Sequence, residues 1–237
     1  MMARFMNWEI IKMLQPKYRR HRRQERKKLM YQILCDNYSR AIKQHGFEAL
    51  AKIHELCVAN NISYWLYAGT LLGMIRDKGF IYSDTDIDIG VWDDDDIRND
   101  LEKYLSANGY VKIHEYTVDG HIREQRFEYK GVGIDFYYFR KNEEYSYASS
   151  FNKKERQLYL VKGVYDLNAF DKLVNINIKG TTLSIPENYI HVLEKAYGDW
   201  KTPVTKADGY IMFGNPNKLH CYDVKAECIH HADSIHK

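Results

Sequence analysis

Residues 62–92 read ISYWLYAGTLLGMIRDKGFIYSDTDIDIGVW, and the fold is decided there. Ile62–Ala68 is an aromatic-rich, β-prone run. It ends in Gly69-Thr70, a small-residue turn that brings backbone N–H groups close to whatever sits at the strand's end. Thr70–Arg76 fits a short helix with Thr70 as its cap. Lys78-Gly79 turns the chain, and Ile81–Trp92 reads as a second strand. Asp84, Asp86 and Asp88 recur along it at a spacing of two, which in a strand puts all three carboxylates on one face. Ile81, Ile87, Ile89 and Val91 take the opposite parity and face a core. Three like charges on a buried strand repel one another and resist desolvation, so a cation is expected to hold them. Hard divalent ions take oxygen ligands, which points to Mg²⁺ or Mn²⁺.

The 237 residues, 45% of them hydrophobic, suit one domain with a helical appendage. The expected division is a basic appendage over 1–28, a catalytic domain over 29–205 and a tail over 206–237. The net charge of +3 conceals an asymmetry: residues 1–30 hold ten Lys and Arg against Glu9 and Glu25, leaving the remainder net acidic. The tract KYRRHRRQERKK at 17–28 follows an apolar stretch, Phe5–Leu14. An apolar anchor beside a polybasic segment is the composition of a peripheral contact with anionic membrane through residues 5–28. A solvated helix or arm is the plainer reading. Tyr18 is the tract's one aromatic, which argues against nucleic acid as a partner. The four cysteines, at 35, 57, 221 and 228, form no CxxC and read as reduced thiols of a cytoplasmic protein. No run reaches the ~18 apolar residues of a membrane-spanning helix, and no signal peptide is evident. The localisation expected is cytoplasmic, peripheral at the inner face of the membrane if the basic tract is used.

Outward from the central stretch, Leu29–Asn60 carries apolar residues at helical spacing and predicts one or two helices broken near Gly46. Asp93–Asp96 caps a helix rather than holding metal, and Asn108-Gly109 ends that helix. Tyr110–Arg140 alternates like strands around an Asp119-Gly120 hairpin. Asp135 interrupts the apolar run Ile134–Phe139 and is read as placed for chemistry. Pro186 opens a helix that Gly198 closes. The tail after 205 reads as loosely ordered or as a surface helix. His220, Cys221, Cys228, His230 and His231 within it match no zinc spacing.

The chemistry that needs a DxD on one strand, a further Asp on a neighbour and a Gly-rich turn is displacement at phosphorus. Two divalent ions about 3.5–4 Å apart need a carboxylate cluster to bridge them. N–H donors and the Arg76 guanidinium suit phosphate. Positioning and charge neutralisation then carry the reaction. The pattern is the outline of the nucleotidyltransferase superfamily. The fold class expected is α+β: a nucleotidyltransferase-like mixed β-sheet core flanked by helices, with the basic helical appendage in front.

YAGTLLGMIRDKGFIYSDTDIDIGVW closely resembles the signature of the LicD/fukutin family of phosphotransferases: a GGTLLG-type turn, an Arg, a KGF-like turn and an acidic run ending in DID. GIDFYYF resembles that family's strand with its later Asp. IPENYIHVLEKAYGDWKTP resembles its C-terminal helix and following corner. Tyr82-Ser83 departs from the usual Pro-Trp, and Thr85 from a middle Asp. The resemblance implies Asp86, Asp88 and Asp135 as catalytic and metal-holding acids, with Asp84 beside them. It implies Gly69, Thr70 and Arg76 on the donor diphosphate. It also implies Mg²⁺- or Mn²⁺-dependent transfer of phosphocholine or a phospho-alditol such as ribitol phosphate from a CDP-linked donor. The acceptor would be a sugar hydroxyl of a cell-surface or lipid-linked glycan, and CMP would leave. The competing expectations are nucleotidyl transfer from a nucleoside triphosphate and an inactive scaffold for glycan assembly.

Overall fold

The computed structural model describes residues 16–82, 84–203 and 217–231, and these hold ten strands and four helices. Helix α1 (Pro16–Ala59) leads into β1 (Tyr64–Leu66), α2 (Ala68–Arg76), β2 (Asp86–Trp92) and α3 (Asp95–Ala107). Strands β3 (Val111–Val118), β4 (His121–Tyr129), β5 (Val132–Lys141), β6 (Tyr145–Lys154) and β7 (Gln157–Asp166) follow as a meander. A separate hairpin, β8 (Leu173–Ile178) and β9 (Thr181–Pro186), precedes α4 (Tyr189–Tyr197), and β10 (Lys218–His230) is the last described element.

The main sheet runs β1-β2-β5-β4-β3-β10-β7-β6, and the end of β5 pairs again with the start of β6, Arg140 opposite Tyr147. This corrects the expectation of a nucleotidyltransferase-like sheet simply flanked by helices. The α+β class holds, but six strands close into a ring with β1 and β2 extending from β5. Closure depends on β10, which pairs with both β3 and β7. The tail, expected to be loose or helical, is therefore a structural strand over 218–230. Its polar residues hid that role, since only Ala226 along it is fully buried. Inside the ring Tyr116 stacks on Phe151, 4.6 Å between ring centroids, above a small cluster of Val118, Leu160 and Ala226.

The larger core lies on the other side of β2 and β5. Ile87, Ile89, Val91, Ile134, Phe136 and Tyr138 are all fully buried there, as their parity predicts, with Ala49, Leu50 and Ile53 of α1 in the same core. Gly46 does not break α1: a Cβ there would stand 2.6 Å from the ring of Phe80, so the glycine makes room for an aromatic inside a continuous helix. That helix also runs without interruption across residue 28. Residues 5–15 of the expected membrane contact lie outside the described residues. Asp119-Gly120 forms the hairpin turn with both φ values positive, as an Asp-Gly pair favours. The four cysteines are free thiols. No described helix is long and apolar enough to cross a membrane.

Trp65 anchors the short β1. It stacks on Phe170 at 5.0 Å and meets Trp92 and Phe139 edge-on. The neighbouring strand accommodates the indole only because Gly90, its register partner, has no side chain: a Cβ would sit 2.2 Å from Trp65 Nε1. Gly90→Ala is expected to cost about 1–3 kcal/mol by overpacking. Thermal unfolding followed by circular dichroism should register a fall of about 2–4 °C per kcal/mol.

Candidate active site

β2 and β5 pair in parallel, so Asp88 lies opposite Asp135 and Asp86 opposite Gly133. β4 lies antiparallel on the far side of β5, with Arg126 opposite Asp135 and Glu124 opposite Tyr137. β3 and β10 extend the first of these rows, His114 opposite Arg126 and His230 opposite His114. One line of side chains thus crosses five strands: Asp88, Asp135, Arg126, His114, His230. It grades from carboxylate to imidazole on the face away from the large core.

The start of α2 locks the acidic end. Thr70 does not cap its helix, whose N-cap is Tyr67; its hydroxyl instead accepts a hydrogen bond from the Asp88 N–H at 2.8 Å. The Tyr67 N–H donates to the Asp88 carbonyl at 3.0 Å. The tight turn falls at Ala68, with φ of 42°, one residue before the glycine the sequence suggested. Asp84 precedes the strand rather than belonging to it. It closes a turn with Ile81, whose N–H it accepts at 3.2 Å, yet it still faces the site. A Cβ on Gly69 would stand 3.5 Å from Asp84 and 3.6 Å from Asp88, which places the Gly69 backbone beside both carboxylates.

Burial governs the electrostatics. Asp84 is pushed up to about 7, chiefly by desolvation and further by Asp86. Asp135 also rises to about 7 on desolvation, with Arg126 opposing. Asp88 and Glu124 are driven well above the ordinary carboxylate range by desolvation and by the neighbouring acids. Arg126 donates to Asp135 at 2.8 Å and approaches Asp86 at 3.5 Å. Lys218, whose charge is disfavoured by burial, is drawn the other way by Asp88.

The chemistry of this donor set suits a hard cation: Asp135 Oδ1 is buried with no hydrogen-bond partner. Asp86, Asp88 and Asp135 share one face of paired strands. Among the described residues, however, no three acidic, histidine or cysteine side chains are already drawn into one coordination sphere. Arg126 reaches between two of them.

The structure brings Asp84, Asp86, Asp88, Asp135, Gly69 and Thr70 together. Arg76 is engaged elsewhere, in a two-point pair with Asp77 at 2.8 Å for each contact. Glu124, Arg126 and Lys218 were not singled out in the sequence. The alternation of HIREQRFEY places Glu124 and Arg126 on one face, but only the register with β5 shows that this face is the acidic one. The corner after α4 is structural, since Gly198 caps the helix with φ of 66° and Trp200 is buried. Surface cavities bordered by Lys154, Arg156 and Tyr222, and by Asn168 and Asp171, lie apart from these acids.

The Asp93–Asp96 run divides in two. Asp94 caps α3, accepting from the N–H groups of Asp96 and Ile97. Asp93 is buried among Arg98, Arg123 and Arg140, the last at 2.6 Å, an ion cluster the sequence reading missed.

A mixed sheet bearing clustered buried acids, with a short helix at a strand end, marks this face as the candidate site. The chain belongs to the LicD/FKTN/FKRP nucleotidyltransferase-domain family, whose domain matches residues 61–188. β10, which closes the sheet, lies beyond that match. Two Rickettsia proteins are similar, both described as uncharacterized. RT0683 of Rickettsia typhi is 26% identical over 90% of this chain, and RP689 of Rickettsia prowazekii is 26% identical over 80%. The chain spans 58% of the first relative's length and 67% of the second's.

The two kinds of buried acid should respond in opposite ways to neutralisation. Asp93→Asn strands three arginines, and is expected to cost about 3–5 kcal/mol. Asp88→Asn relieves repulsion and should leave the melting temperature unchanged or raised. Parallel denaturation of the two variants in buffer without divalent ions makes the comparison.

Proposed function

We propose that the protein transfers a phospho-substituent, phosphocholine or a phospho-alditol, from a CDP-linked donor to a sugar hydroxyl of a cell-surface or lipid-linked glycan. One observation carries the reading: a buried carboxylate, Asp135, with an unpartnered oxygen lies in register with Asp88 on the parallel neighbour strand. Family membership supports transferase chemistry. The donor and acceptor come from the resemblance set out above.

Asp86, Asp88 and Asp135 would hold Mg²⁺ or Mn²⁺, which supplies charge neutralisation at the donor phosphates. The start of α2, where helix N–H groups favour anions, would take a donor phosphate beside the metal. Thr70 keeps Asp88 in place. Lys218 adds positive charge on the Asp88 side. The acceptor oxygen attacks the phosphorus bearing the head group, a new P–O bond forms, and the bond to CMP breaks. The hydroxyl proton passes to a carboxylate of the same face. A cytoplasmic location, with the basic start of the chain against an anionic membrane, would bring the site to a membrane-carried acceptor.

Thermal stabilisation by CDP-choline, CDP-ribitol, CDP-glycerol and nucleoside triphosphates, each with Mg²⁺, tests the donor without any known acceptor. A ligand at a hundredfold its dissociation constant adds about 2.7 kcal/mol. One CDP conjugate should stabilise the protein only with metal, and Asp86→Asn should abolish the shift. Stabilisation by a triphosphate alone would replace this reading with nucleotidyl transfer.

A further inference from the structure

We propose that Arg126 is an exchangeable cation of this site. Its guanidinium neutralises Asp135 and Asp86 when no divalent ion is bound, then releases them to the metal and takes a phosphate of the incoming diphosphate. The inference deepens the phosphotransferase reading and rests on it.

The guanidinium contacts two of the three proposed metal-holding acids, Nη1 lying 2.8 Å from Asp135 Oδ2 and 3.5 Å from Asp86 Oδ2. A divalent ion bridging those strands would draw on the same two carboxylates, of which Asp135 still offers Oδ1 without a hydrogen-bond partner. The two cations therefore compete, and binding one must weaken the hold of the other.

The surroundings are shaped for this side chain. It lies across Gly133, where a Cβ would come within 2.2 Å of Nη2 and 2.8 Å of Cζ. Gly133 is also the register partner of Asp86, so the missing side chain opens a trough beside the carboxylate. The ring of Tyr38, from α1, lies 5.7 Å from Cζ. Once displaced from the acids, the guanidinium remains beside them. A donor phosphate bridged to the ion would present oxygens there, and a planar fork of donors matches them. Arg76, the guanidinium nearest in sequence, is already committed to Asp77.

Mn²⁺ binding to the full chain, read by electron paramagnetic resonance, tests the exchange, with inorganic pyrophosphate as the diphosphate probe. Arg126→Met should bind Mn²⁺ about tenfold more tightly, within the usual range of site coupling. With Mn²⁺ saturating, it should bind pyrophosphate at least ~10-fold more weakly. Gly133→Ala, which keeps the arginine but crowds its trough, should shift both constants in the same directions. It carries the test should Arg126→Met fail to fold. Mn²⁺ affinity unchanged or weaker in the folded variants would overturn the exchange alone. Pyrophosphate affinity unaltered in them would do the same. A wild-type chain that binds no Mn²⁺ would overturn both this inference and the metal reading beneath it. The expected shifts without binding of any CDP conjugate would support the exchange and remove only the assigned donor.

Discussion

Negative charge held out of water is the condition to which this molecule is built. Asp88, Asp135 and Glu124 are buried on one side of the sheet, each raised in pKa chiefly by loss of solvation. Such groups are tolerable only where a proton or a nearby cation offsets their charge, and backbone geometry holds them in place. The parallel pairing of β2 and β5 does the fixing, reinforced by two hydrogen bonds between β2 and the start of α2 at Asp88. Arg126 and Lys218 supply opposing charge from strands far apart in sequence. The folding of a large part of the chain, out to β10, thus bears on the few side chains of β2.

A second buried acid shows the contrast between site and scaffold. Asp93 is about as enclosed as Asp135, yet three arginines surround it and fasten the end of β2 to α3, β4 and β5. Asp135 meets one arginine, which it shares with Asp86. Three arginines on one acid mark structure, and one arginine shared between two acids leaves charge for something else to offset. The sequence shows both as aspartates close to apolar strands and cannot distinguish them, because the arginines that decide the matter arrive through tertiary register.

The limits of sequence reading follow the same line. Local signals were legible: the acidic alternation of β2, the Asp119-Gly120 hairpin, the Asp94 cap and the family-like segments. The family resemblance drawn from those segments is now shown by the domain match. What was missed depends on partners distant in the chain. Gly46 looks like a helix break until Phe80 is placed against it. Thr70 looks like a cap until Asp88 reaches it. The polar segment 218–230 looks like a tail until β3 and β7 are found to leave a gap for one more strand. The residues of β4 belong to this group, since alternation sorts them by face but cannot name the neighbour.

Helix α1 has a geometric consequence of its own. It meets the site through Tyr38, but every described position from Arg22 to Ile33 is exposed. At 1.5 Å per residue, the portion from Pro16 to Asn37 forms a mast roughly 33 Å long. Leu29, Met30 and Ile33 stand bare along it, near Arg22, Arg23 and Arg26. Whatever surface grips the mast would hold the acidic face at a set standoff. That height, rather than affinity alone, would then decide what can reach the face.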